Sequence, residues 1–135
     1  MINEFSLKEV FPNVSKNIPC HIIEDTILDN PPDLFKEVFP DADFSTYAFL
    51  MSGEHIDDAI FIRRSVYDDN SLKRVVLAHE YMHSIGHDEE EEADFEALLF
   101  LTAYSELDSL EKEQDMLIEN WEVRHGRTFD EFMEE

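Results

Sequence analysis

The sequence predicts an α+β domain, and three observations carry that prediction. Short segments rich in β-branched and aromatic residues lie between Cys20 and Arg63, two helical patterns follow from Leu72, and an amphipathic helix comes after Ser105. With 135 residues, 43% of them hydrophobic and 12% aromatic, the chain has the material for a single core, so one domain over residues 1–135 is expected.

The opening third is cut into short elements by prolines at positions 12, 19, 31, 32 and 40. "CHIIE", from Cys20, reads as a strand. After Asn30, Pro31 and Pro32, "DLFKEVF" reads as a short helix stopped by Pro40, since proline fits a first turn but not a helix interior. "STYAFLMS" and "AIFIRRSV" flank a turn containing Gly53, which predicts a hairpin and a small twisted sheet from roughly Tyr47 to Arg63, with "AIFI" as an edge strand. Asp68, Asp69, Asn70 and Ser71 offer N-caps for "LKRVVLAHEYMHSIG", and Gly86 is placed to end that helix. A second helix is expected from about Asp88, with Ala93, Ala97, Phe100, Leu101 and Tyr104 on one side. Leu107, Leu110, Leu117 and Trp121 then make one stripe of a C-terminal helix packed on the domain, before the polar tail "RHGRTFDEFMEE".

Charge and composition narrow the function. Thirty-three acids against 10 bases give a formal charge of −23, which repels nucleic-acid phosphates and anionic lipid, so neither is an expected direct partner. No basic start leads into an apolar stretch, and the longest apolar run, "ALLFL", is too short to span a bilayer. Cys20 is the only cysteine, so any metal site must be built from His, Asp and Glu. A soluble, cytoplasmic protein is expected.

The chemistry concentrates in "HEYMHSIGHDEEEEADFEA". His79-Glu80-Tyr81-Met82-His83 matches H-E-x-x-H. Residues four apart share a helix face, so both imidazoles can reach one zinc ion, while Glu80, one residue round, points beside them at the open position. Zinc would acidify a bound water, and Glu80 would act as general base on it and pass the proton to the departing amine of a peptide.

A catalytic zinc site wants a third protein ligand. His87 has the right side chain, but on a straight helix it lies about 12 Å along the axis from His79, too far for one ion. The metzincin pattern H-E-x-x-H-x-x-G-x-x-H fails too, because Glu89 stands at its third histidine. If a second helix begins near Asp88, Glu90, Asp94, Ala97 and Leu101 share a face. Glu90 can then be the third ligand, and Asp94 can accept the free N–H of a ligating histidine. Glu91 or Glu92 would replace Glu90 if that helix starts later, and His87 stays open if Gly86 swings it back. For a donor to the developing oxyanion, Tyr81, Tyr104, His125 and Arg127 are candidates that spacing does not separate.

From Ala59 to Phe100, and most closely from Leu77 to Leu99, the sequence resembles the ImmA/IrrE metallopeptidases: a strand, a loop, a helix ending in A-H-E-x-x-H, then a helix with E-x-x-A-D. The resemblance implies a compact zincin-like, gluzincin-type fold, in which the sheet packs against the active-site helix and a glutamate helix. It implies zinc held by His79, His83 and Glu90, with Glu80 as general base and Asp94 behind the ligands. It also implies a protein or peptide substrate, such as a transcriptional regulator. The connection from His83 to Glu90 is short for a gluzincin, with six residues between them. Two other readings stand beside this one: an acidic non-enzymatic inhibitor or DNA mimic that covers a basic partner surface, and an inactive zincin that keeps metal for structure only.

Overall fold

A computed structural model describes residues 3–38, 46–53, 56–104 and 107–126. Four strands form one mixed sheet: β1 (Glu4–Ser6), β2 (Pro19–Ile23), β3 (Ala48–Gly53) and β4 (Ile56–Arg63), in the order β1-β2-β4-β3. β1 pairs antiparallel with β2, β2 parallel with β4, and β4 antiparallel with β3. Seven helices complete the described architecture: α1 (Leu7–Val10), α2 (Asp25–Asp29), α3 (Asp33–Val38), α4 (Arg64–Asp68), α5 (Asn70–Ser84), α6 (Glu90–Tyr104) and α7 (Leu107–His125). The expected α+β class is the one observed.

The alternation in the strands explains the sheet's inner face. Cys20 and Ile22 of β2, Ala48 of β3, and Ile60 and Ile62 of β4 all enter one core with α5. Burying an isoleucine side chain is worth about 1.5–3 kcal/mol, and a slip of one residue would bring Ile60 and Ile62 out together, so these two residues fix the register of β4. On the far side of α5, Ala93, Ala97 and Leu101 of α6 and Leu117 of α7 close the same core. The helix is therefore covered on nearly all sides, with Val75, Val76, Leu77, Ala78, Tyr81 and Met82 buried.

Several expectations need correction. "AIFI" is not an edge strand: β4 is paired on both sides, and β3 takes the edge. The reason is the parallel pairing of β2 with β4, from Cys20↔Ile60 to Ile23↔Arg63, which is non-local and has no signature within β4 itself. The end of "AIFIRRSV" is also helical rather than extended, because Asp25 reaches across to accept from the Ser65 N–H (3.0 Å) and hydroxyl (2.7 Å) at the start of α4.

The strand, the hairpin and the three main helices lie close to their expected places. Asp69 is the cap of α5, accepting from Leu72 N–H at 3.2 Å. Gly86, with φ +108°, follows its last turn. The second helix starts at Glu90, two residues after the expected Asp88. Along α7 the buried stripe includes a charge: Glu113, Leu117 and Trp121 are all buried, and Glu113 is paired with Arg74 of α5. Pro40, the turn at residues 54–55, Arg127 and the rest of the tail lie outside the described residues, as do the side chains of Leu107 and Leu110. No helix among the described residues is long and apolar enough to cross a membrane.

Candidate metal centre

The end of α5 and the start of α6 meet at one point. His79 and His83, one turn apart on α5, bring their Nε2 atoms to 3.0 Å, and Glu90, the first residue of α6, places Oε2 3.1 Å from His79 Nε2 and Oε1 3.0 Å from His83 Nε2. Two ligands at about 2.0–2.1 Å on a tetrahedral ion stand about 3.3 Å apart, so these spacings are close to those of a coordinated zinc. The expected trio His79, His83 and Glu90 is thus brought together, in a group that can hold a metal ion.

The hydrogen bonds behind the rings settle their tautomers. His79 Nδ1 lies 2.6 Å from Asp94 Oδ1, and His83 Nδ1 lies 2.8 Å from the carbonyl oxygen of His87. A carbonyl and a carboxylate only accept, so each Nδ1 carries a hydrogen, and Nε2 is the ring atom left to face Glu90 and the shared point, where either a proton or a metal ion can sit. Two unprotonated Nε2 atoms 3.0 Å apart would repel, so a cation, either a proton or a metal, has to sit between them. The donor set therefore fits a divalent ion. Burial of the His79 ring opposes its protonation, yet the hydrogen bonds to Asp94 and Glu90 outweigh this and push its pKa up to about 9.

Other sequence candidates fall elsewhere. The ring of His87 turns to Glu92, in the first turn of α6, and contributes nothing to the trio. Glu91 and Glu92 also stay outside it: α6 does begin later than expected, yet its first residue, Glu90, still brings its carboxylate to both histidines. Tyr81 is not available as an oxyanion donor: it is buried, and its hydroxyl meets Ser15 N–H at 3.1 Å and Ser15 Oγ at 3.0 Å. The side chains of Tyr104 and His125, with Arg127, lie outside the described residues.

A cleft of about 460 Å³ opens over the trio. One wall is Thr46, Tyr47 and the start of β3 through Leu50; the other is α5, with Val75, Val76 and the buried Glu80 beside the two histidines. Glu90, Asp88 and Asp94 close one side, and Leu117 of α7 reaches in from another. Two features escaped sequence reasoning. The His87 carbonyl acts through a main-chain atom, for which residue type gives no signal. The wall from β3 follows from strand order, which the hairpin alone does not determine.

Such an arrangement could hold a metal ion on three protein groups, with the Glu80 carboxylate lining the same cleft. No family model, curated protein or solved structure matches the chain.

Proposed function

We propose that the protein is a zinc-dependent peptidase of the zincin type, with His79, His83 and Glu90 as metal ligands and Glu80 as general base. The observation that carries this reading is the convergence of two imidazole Nε2 atoms and a carboxylate on one point, with both Nδ1 atoms already engaged. When bound, zinc supplies a Lewis acid that acidifies water and polarises a carbonyl. Glu80 takes the proton of the attacking water on its carboxylate and returns it to the nitrogen as the C–N bond breaks. Asp94 holds His79 in its tautomer throughout. The edge strand β3 can align an extended peptide along the cleft by main-chain pairing. The resemblance of A-H-E-x-x-H and E-x-x-A-D to the ImmA/IrrE metallopeptidases supports the same reading and points to a regulatory protein as substrate.

The charge of −23 favours a second reading, an acidic protein that covers a basic partner surface without catalysis. Metal analysis of tag-free protein separates the two. The peptidase reading expects about one zinc per chain, lost in His79→Ala and retained in Glu80→Gln, whose peptide hydrolysis falls by about 10²–10⁴-fold. A folded wild-type protein that takes up no zinc would reject it in favour of the second.

A further inference from the structure

The third histidine of "HEYMHSIGH" is excluded as a ligand by its ring but not by its backbone. α5 ends in a specific way: His87 N–H donates to Met82 C=O at 3.1 Å, and Gly86 N–H donates to His83 C=O at 3.3 Å. With Ile85 as C-cap, these are the two bonds of a Schellman motif, which needs positive φ at the residue after the cap. Gly86 supplies it, at φ +108°. A Cβ there would meet nothing within 4 Å, so the requirement for glycine comes from backbone conformation and not from crowding.

The reversal has a chemical product. It folds the chain back over the last turn and brings the His87 carbonyl oxygen to 2.8 Å from His83 Nδ1. The His87 ring meanwhile pairs with Glu92, in the same first turn of α6 that carries Glu90. One six-residue connection thus holds the outer face of His83 on one side and the start of the glutamate helix on the other.

We propose that Gly86 is a positioning residue for metal capture: its left-handed conformation aims the His87 carbonyl at His83 Nδ1–H and so presents Nε2, rather than Nδ1, to the ion. The proposal rests on the reading that His79, His83 and Glu90 hold the metal. Groups that orient ligating histidines typically alter metal affinity by about 10–100-fold when lost.

The test measures zinc affinity by competition with a chelating indicator, and thermal unfolding of the metal-free protein, for wild type, Gly86→Ala and Gly86→Asn. Zinc affinity is expected to fall about 10–100-fold in Gly86→Ala. It should recover in part in Gly86→Asn, because asparagine tolerates positive φ better than alanine. A Gly86→Ala protein that loses thermal stability but, while folded, binds zinc like wild type would make the glycine a helix terminator only and overturn the proposal. Long-range ¹H–¹⁵N spectra of zinc-loaded wild type give a readout that does not depend on the variants. His83 is expected to carry its hydrogen on Nδ1, whereas a hydrogen on Nε2 would overturn the assignment. A wild type that binds no zinc would instead reject the underlying metal reading, a result distinct from either.

Discussion

Two of the ionic contacts that tie α5 to its neighbouring helices differ in kind. Arg74 Nε meets Glu113 of α7 at 2.6 Å, and five residues on, His79 Nδ1 meets Asp94 of α6 at 2.6 Å; both carboxylates are buried. Arginine keeps its proton at every accessible pH, so the first contact is complete in itself and fastens α7 onto the core. Histidine has a second nitrogen. Once Nδ1 is engaged by Asp94, Nε2 is aimed and made more basic, so the second contact fastens a helix and, in the proposed metal site, would also prepare a ligand. Equal length and similar burial therefore serve two purposes, and the amino acid on α5 decides which.

The comparison can be broken by changing one side at a time. The largest effect is expected from Glu113→Ala, which leaves the Arg74 charge without its buried carboxylate and should cost about 3–5 kcal/mol in chemical denaturation. Zinc binding per folded molecule should persist, and its loss at full stability would reverse the two roles. Asp94→Asn should act the other way, lowering zinc affinity by about 10–100-fold in a chelator titration, with a smaller change in denaturation midpoint than Glu113→Ala. The smallest effect concerns a third contact of the fastening kind, where Arg63 Nη1 lies 2.9 Å from Asp29 and 3.4 Å from Asp25. Burial opposes the Asp25 charge, but hydrogen bonds from Ser65 and Arg63 outweigh it and hold the carboxyl below its usual 3.8. Because the folded value is the lower one, Asp25 contributes stability that is fully present above pH 3.8 and fades as the pH falls through the folded value. Acid unfolding of Asp25→Asn should therefore converge with wild type at low pH; a constant difference across the titration would rule out this carboxylate as the source.

The parts of the site legible in the sequence were those set by spacing along a helix. His79 and His83 at four residues, and Glu90 and Asp94 at four residues, share faces whatever surrounds them, and Asp69 and Gly86 mark the ends of α5 by local backbone preference. What was hidden depends on partners far along the chain. α4 starts where it does because Asp25, forty residues away, caps Ser65. The hydroxyl of Tyr81 belongs to Ser15, and the edge passes from "AIFI" to β3 because β2 comes in beside β4. Glu113 read as one charge among many on α7, and only the opposing Arg74 explains why it is inside.

The position of β3 has a consequence for how two copies of the protein meet. Its segment Ala48–Gly53 is short and largely apolar, and among the described residues it takes only β4 as a strand partner, so its outer side is the kind of edge that can template another strand. A second copy would offer the same edge, but it would bring the same −23 charge. Like charge keeps copies apart at low ionic strength, while the shorter screening length of concentrated salt removes that protection. The acidity thus acts as a colloidal guard on the strand beside the cleft, and the salt concentration sets how strong the guard is.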